Sequence, residues 1–300
     1  MKPALKAHLF ILGANIIYGV NYAIGKVALQ YFDPFAIVLM RVTGAVIIFT
    51  LLYHIAGREK IEPSDHKKLL IASLFGVVIN QLMFFKGLSL TSEIHSALIM
   101  ITTPLIVLIM AWIILKDKIT WLKSGGIAIG AVGVAMLISS GAADASSPSS
   151  IIGDLCITIN ATSYAIFLII AKPLMAKYSP YTIARWIFTY GILFVLPFGI
   201  QSVMHIDWQS IPAIAFWALG FVILGATVLA YLFNILGLNY GSPALVSIYI
   251  YTQPVIATII AIALGSDTIT ITKVISAILV FAGVALVSFT GTKKPLNTAV

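Results

Sequence analysis

Inside the stretch NQLMFFKGLSL, residues 80–90, the chain sets Asn80, Gln81 and Lys86 among apolar and aromatic neighbours. Such groups are costly where water is scarce and call for a partner or a wetted cavity. Other polar side chains share that predicament: Asn21 and Lys26 in one apolar run, Arg41 in the next, and Tyr231 and Asn234 further on. The run YIYTQP (249–254) adds Tyr249, Tyr251, Gln253 and Pro254, and ITTP (101–104) adds Thr103 and Pro104. These types bind and orient; they do not make a hydrolytic or metal centre. No GxSxG, HExxH or Walker motif occurs. The single cysteine, Cys156, and five scattered histidines leave no disulfide and no metal spacing. An enzyme is not expected, and no cofactor is expected.

The elements that must carry these groups follow from composition. The 300 residues are 60% hydrophobic and 9% charged, far below the charge of a soluble domain. A bilayer core needs about 20 helical residues. Apolar runs of that length predict an all-α integral membrane protein of ten spans, at about 7–30, 35–56, 68–90, 93–115, 121–139, 152–176, 181–203, 212–238, 243–265 and 270–290. Strand alternation, which a β-barrel requires, is missing from them. The first run is read as a span, not a cleaved signal.

The net charge of +8 comes from short basic clusters between runs, which speaks for a lipid bilayer as partner and against nucleic acid. Lys2, Lys6, Arg58, Lys60, Lys67, Lys68, Lys116, Lys118, Lys123, Lys172, Lys177, Lys293 and Lys294 fall on one side of a ten-span arrangement. Asp33, Glu93, Asp144, Asp207 and Asp267 fall on the other, with Lys273 the exception. The positive-inside rule then puts both termini in the cytoplasm, N-in/C-in, for a multi-pass protein of the cell inner membrane.

The chain also repeats itself. GLSLTSEIHSALIMITTP (87–104) matches GLNYGSPALVSIYIYTQP (237–254) at a spacing of 150, aligning Gly87 with Gly237, Ser92 with Ser242 and Pro104 with Pro254. KDKITWLK (116–123) lies over SDTITITK (266–273), and FDP (32–34) over YSP (178–180). The expected organisation is a first five-helix repeat over 1–141, an external linker over 142–151, and a second repeat over 152–300 with a short basic tail. Five spans per repeat make the second enter from the opposite side. Two inverted five-helix repeats are a usual chassis of alternating access.

Individual positions leave choices open. Arg41 stands roughly 10 Å into its helix, counting 1.5 Å per residue from Pro34, so it either lines a cavity or reaches the surface. Lys26 and Lys86 lie near the outer ends of their helices, where they snorkel or gate a mouth. Pro104 and Pro254 each free a carbonyl at mid-depth, marking a central site or hinge, or a plain kink. Gln81 and Phe84 share a face and overlie Tyr231 and Asn234 at the repeat spacing. Gly126, Gly130 and Gly133 share a face suited to close packing. The expected substrate pathway is Asn21, Arg41, Asn80, Gln81, Lys86, Thr103, Pro104, Tyr231, Asn234, Tyr251, Gln253 and Pro254.

YGVNYAIGKVAL (18–29), FDPFAIVLMR (32–41) and TTPLIVLIMAWIILKDKITWLKSGGIAIGAVGVAML (102–137) resemble, in order and spacing, the EamA-type transporters of the drug/metabolite transporter superfamily. The family's acidic turn, usually Glu, is here Asp117 and Asp267. The resemblance implies a ten-helix carrier of small-molecule solutes, often an exporter, without naming the solute. A basic, aromatic cavity would suit a carboxylate-bearing metabolite such as an amino acid. An uncoupled facilitator or multidrug exporter of the same fold is the alternative. A monomer would suffice.

Overall fold

A computed structural model describes residues 3–91, 96, 99–141, 150–263 and 269–291. The expectations placed on Lys2, Ser92, Glu93, Asp144, Asp267, Lys293 and Lys294 lie outside the described residues. Among the described residues every regular element is helical. Eight helices are long and apolar enough to cross a membrane, and two shorter apolar helices accompany them.

In chain order these are α1 (Pro3–Leu29), α2 (Pro34–Ile55), α3 (Pro63–Leu90), α4 (Thr103–Leu115) and α5 (Trp121–Gly141). There follow α6 (Ile151–Leu174), α7 (Pro180–Met204), α8 (Ala213–Tyr240), α9 in three segments (Pro243–Ile248, Tyr249–Tyr251, Thr252–Ala263) and α10 (Ile271–Gly291).

Several helices start where proline fixes the first turn. Pro34, Pro63, Pro180 and Pro243 all stand at such starts, where a missing N–H costs nothing. Asp33 caps α2 by accepting from the Phe35 and Ala36 amides; Ser179 and Ser242 cap α7 and α9. Helix α3 starts at Pro63, five residues before the apolar run, because Pro63 begins a helical turn that is still polar.

Interior irregularities concentrate in four helices. Backbone pairing widens to π-helix at Leu74–Val78 in α3 and at Phe221–Leu229 in α8. Helix α9 tightens to 3₁₀ at Tyr249–Tyr251, just ahead of Pro254, and α4 follows a turn at Ile101–Thr102, just ahead of Pro104. Proline has no N–H, so Pro104 cannot pair with the carbonyl of Met100, nor Pro254 with that of Ile250.

Packing sorts the helices into groups. Helix α1 runs along α8 and α9, and α6 runs along α3 and α4. The remaining pairs are α2 with α7 and α5 with α10. Small residues set the closest approach. A Cβ on Gly126 would stand 2.8 Å from the Gly283 carbonyl, and one on Gly133 2.8 Å from that of Ser276, so α5 meets α10 backbone to backbone. Gly130 instead faces the Tyr251 ring.

The helix ends define two faces. On one, the ammonium of Lys177, between α6 and α7, reaches Asp65 (2.9 Å) and Glu62 (3.1 Å) at the start of α3. Hydrogen bonds to Asp65, then Glu62, hold it above the ordinary lysine range. Arg58, Lys60, Lys67 and Lys68 flank this junction in the sequence, and it is called the basic face below. On the opposite face Thr91, ending α3, donates to Asp154 in the first turn of α6 at 2.6 Å.

Candidate functional site

A cavity lies where α1, α2, α3, α6, α8 and α9 converge with the segment leading into α4. Its wall is Asn15, Tyr18, Asn21, Tyr22, Arg41, Asn80, Gln81, Phe84, Met100, Asn160, Tyr164, Tyr231, Ile250 and Gln253, around roughly 710 Å³ of atom-free space, mouth included. Six primary amides, five aromatic rings and one cation make up most of it. Among the described residues no carboxylate stands on that wall.

Arg41 is the single charge on the wall among the described residues. Its Nε donates to Thr227 Oγ1 at 2.6 Å, and Thr227 in turn donates to the Val222 carbonyl at 2.6 Å inside the π-helical stretch of α8. The guanidinium lies over the Phe85 ring, 5.1 Å from its centroid. These contacts position the group without neutralising it. A buried unpaired cation is costly, and an anion within reach would relieve that cost. The guanidinium fork matches a carboxylate in two-point geometry.

The amides divide into those the protein satisfies and those it leaves. Asn160 donates to the Asn80 carbonyl at 2.8 Å and Asn80 returns a longer bond, 3.4 Å, tying α3 to α6. Gln253 donates to Asn15 Oδ1 at 2.7 Å, tying α9 to α1. Asn21 Oδ1 and Gln81 Oε1 have no partner among the described residues, although their residues are 4% and 3% exposed. Buried polar atoms are nearly always paired, so these two mark places for a solute or water. Tyr22 meets Phe84 edge to face at 5.7 Å, giving the wall an apolar side.

Of the expected pathway, Asn21, Arg41, Asn80, Gln81, Tyr231 and Gln253 come together on this wall. Asn234 stands behind it and donates to the Tyr164 hydroxyl at 2.6 Å. Tyr251 bridges to the Ile101 carbonyl at 2.8 Å, spanning α9 and the turn before α4. Thr103, Pro104 and Pro254 are off the wall too, but the residues four before the prolines, Met100 and Ile250, are on it.

Lys86 does not reach the cavity. It lies over the Phe35 ring at 5.9 Å, because it follows Gln81 by five residues and so faces about 140° away. Lys26 donates to the Thr91 carbonyl at 3.0 Å instead. The basic character expected of the cavity therefore rests, among the described residues, on Arg41 alone. The cavity residues not assigned a pathway role beforehand are Asn15, Tyr18, Tyr22, Phe84, Met100, Asn160, Tyr164 and Ile250. Spacings of three and four between polar or aromatic residues, as in Asn15–Tyr18–Tyr22 and Asn160–Tyr164, were a legible signal.

Comparison with known proteins agrees with this architecture. The model of the EamA-like transporter family matches residues 5–139 and again 151–289. The uncharacterized transporter YyaM of Bacillus subtilis is 27% identical over 291 residues, covering 95% of this chain and 94% of its own. YetK of the same organism, also named an uncharacterized transporter, is 26% identical over 87% of this chain and 80% of its own. A crystal structure at 16% identity superposes with a TM-score of 0.76 over 95% of this chain and 98% of that one, a likeness of fold. With its family's model matched once in each half, this chain belongs to the EamA-like transporter family.

Proposed function

We propose that the chain is a secondary transporter that moves small carboxylate-bearing metabolites, such as amino acids, outward across the cytoplasmic membrane by alternating access. The observation that carries this reading is the central cavity. It draws its wall from both halves of the chain and presents one positioned guanidinium and two amide oxygens that have no partner among the described residues.

Two inverted five-helix repeats, 1–141 and 152–300 joined by 142–151, are the proposed chassis, with both termini cytoplasmic. Matched irregularities support it. The π-helical stretch 74–78, moved on by 150, falls within 221–229, and the break before Pro104 has its counterpart before Pro254. The basic face described above supports the orientation through the positive-inside rule.

The pathway is proposed to run past Asn21, Arg41, Asn80, Gln81, Tyr231 and Gln253. Asn234 and Tyr251 brace the wall, and Thr103, Pro104 and Pro254 shape the helix breaks. Lys86 is proposed to act at the outer approach, drawing anions toward the mouth. An exporter of cationic drugs fits less well, because a cation would meet Arg41 and, among the described residues, no carboxylate on the wall.

The test is flux into proteoliposomes of the purified protein across amino acids, other organic acids, nucleosides, sugars and cationic drugs. A carboxylate-bearing solute should equilibrate faster than in empty vesicles. Movement of cationic drugs alone would overturn the substrate class.

A further inference from the structure

Two lysines, one at each face, make the same contact in opposite halves of the bundle. Lys26, in the last turn of α1, donates to the carbonyl of Thr91, the residue that ends α3. Lys172, in the last turn of α6, donates to the carbonyl of Gly241, the residue that ends α8, at 2.7 Å. It also reaches the carbonyls of Leu238 (2.8 Å) and Asn239 (3.4 Å).

The correspondence extends to the backbone. Lys26 and Lys172 are 146 residues apart, the spacing that aligns Pro34 with Pro180, and Thr91 and Gly241 are 150 apart, the spacing of the long repeat. Both acceptors are extended C-caps, Thr91 at φ −129° and Gly241 at φ −119°, and their own amides return to Gly87 and Gly237. A helix C-terminus carries partial negative charge on unpaired carbonyls, which an ammonium group satisfies.

What these bonds join matters more than their likeness. Helices α1, α8 and α9 form one packed group, and α3, α4 and α6 another. Bonds inside the groups, such as Asn15–Gln253 and Asn80–Asn160, tie each into a unit. Lys26 belongs to the first group and grips the second at the face opposite the basic one. Lys172 belongs to the second group and grips the first at the basic face.

We propose that Lys26 and Lys172 are paired latches, each holding one face of the transport path shut. Opening a face means separating the two groups there, which breaks that face's latch and leaves the other intact. This rests on the alternating-access reading above. Losing one latch biases the equilibrium toward the state open at its own face.

The test follows the accessibility of one cavity cysteine, F84C in a C156A background, to a membrane-impermeant maleimide. Inside-out and right-side-out vesicles present the two faces separately, so no solute need be known. K26M is expected to raise labelling from the face opposite the basic one about tenfold relative to the basic face. K172M is expected to shift the ratio about tenfold the other way, and K26R and K172R to stay near the parent ratio. K26Q and K172Q repeat the comparison with a polar side chain. Opposite shifts cannot come from general loosening of the fold. Shifts in one common direction, or none, would overturn the latches while leaving alternating access standing. A parent reporter labelled from one face only would overturn alternating access itself, and the latches with it.

Discussion

Replacing Arg41 by Met separates binding from stability. Met keeps much of the volume over Phe85 and leaves the Thr227 hydroxyl donating to the Val222 carbonyl at 2.6 Å, so no buried donor is stranded. The change also removes a cation that no carboxylate on the cavity wall balances among the described residues. Thermal stability in detergent should be unchanged or higher. Solute affinity should fall, because a hydrogen bond to a charged group contributes about 1.5–3 kcal/mol. At about 1.4 kcal/mol per tenfold, that is a loss of roughly 10- to 150-fold. The assay is equilibrium binding to parent and R41M protein of a transported carboxylic acid and of its carboxamide. The acid should lose affinity and the amide should not. Equal losses for both, or full affinity of R41M for the acid, would refute the assignment of Arg41 as the carboxylate site.

Further outcomes follow from packing. G283A should destabilise by about 1–3 kcal/mol, the usual cost of overpacking, because its Cβ would stand 2.5 Å from the Gly126 carbonyl and 2.9 Å from the Gly130 amide. G125A, where nothing lies within 4 Å, should leave the melting temperature unchanged or raise it, since Ala favours the helix over Gly, and the pair is read by thermal unfolding. Y251F should cost about 1–3 kcal/mol by stranding the Ile101 carbonyl at the break before α4, measurable in the same way.

Much of the fold was legible because lipid imposes a simple rule on composition. Apolar runs located most helices to within a few residues, although α4 begins at Thr103, ten residues into the run expected over 93–115, and the glycines of α5 announced a close helix approach, which Gly126 and Gly133 make to α10. The start of α3 was missed because its first turn is polar and stands beyond the apolar run. The π-helical stretches were not legible at all, since LFGVV at 74–78 reads like any other apolar segment.

The site was legible in half. Gln81 and Asn21 stood out as amides in apolar runs, and both reach the wall. Lys86 stood out more and lies elsewhere, since a long cation at a helix end finds other partners such as the Phe35 ring. Spacing puts Tyr18 on one helix face with Asn15 and Tyr164 on one with Asn160, but spacing alone does not say what such a face meets. Their place depends on which way each helix is rotated, which is decided by packing against neighbours in the other half of the chain.

The claim that this protein works by alternating access is tested most directly by counterflow in proteoliposomes. Vesicles are loaded with an excess of unlabelled carboxylate-bearing solute, and entry of trace labelled solute is followed. The account predicts a transient accumulation of label above its equilibrium level, because a carrier that must return loaded sites exchanges faster than it nets. Label that rises only to equilibrium, at a rate indifferent to the solute inside, would contradict it.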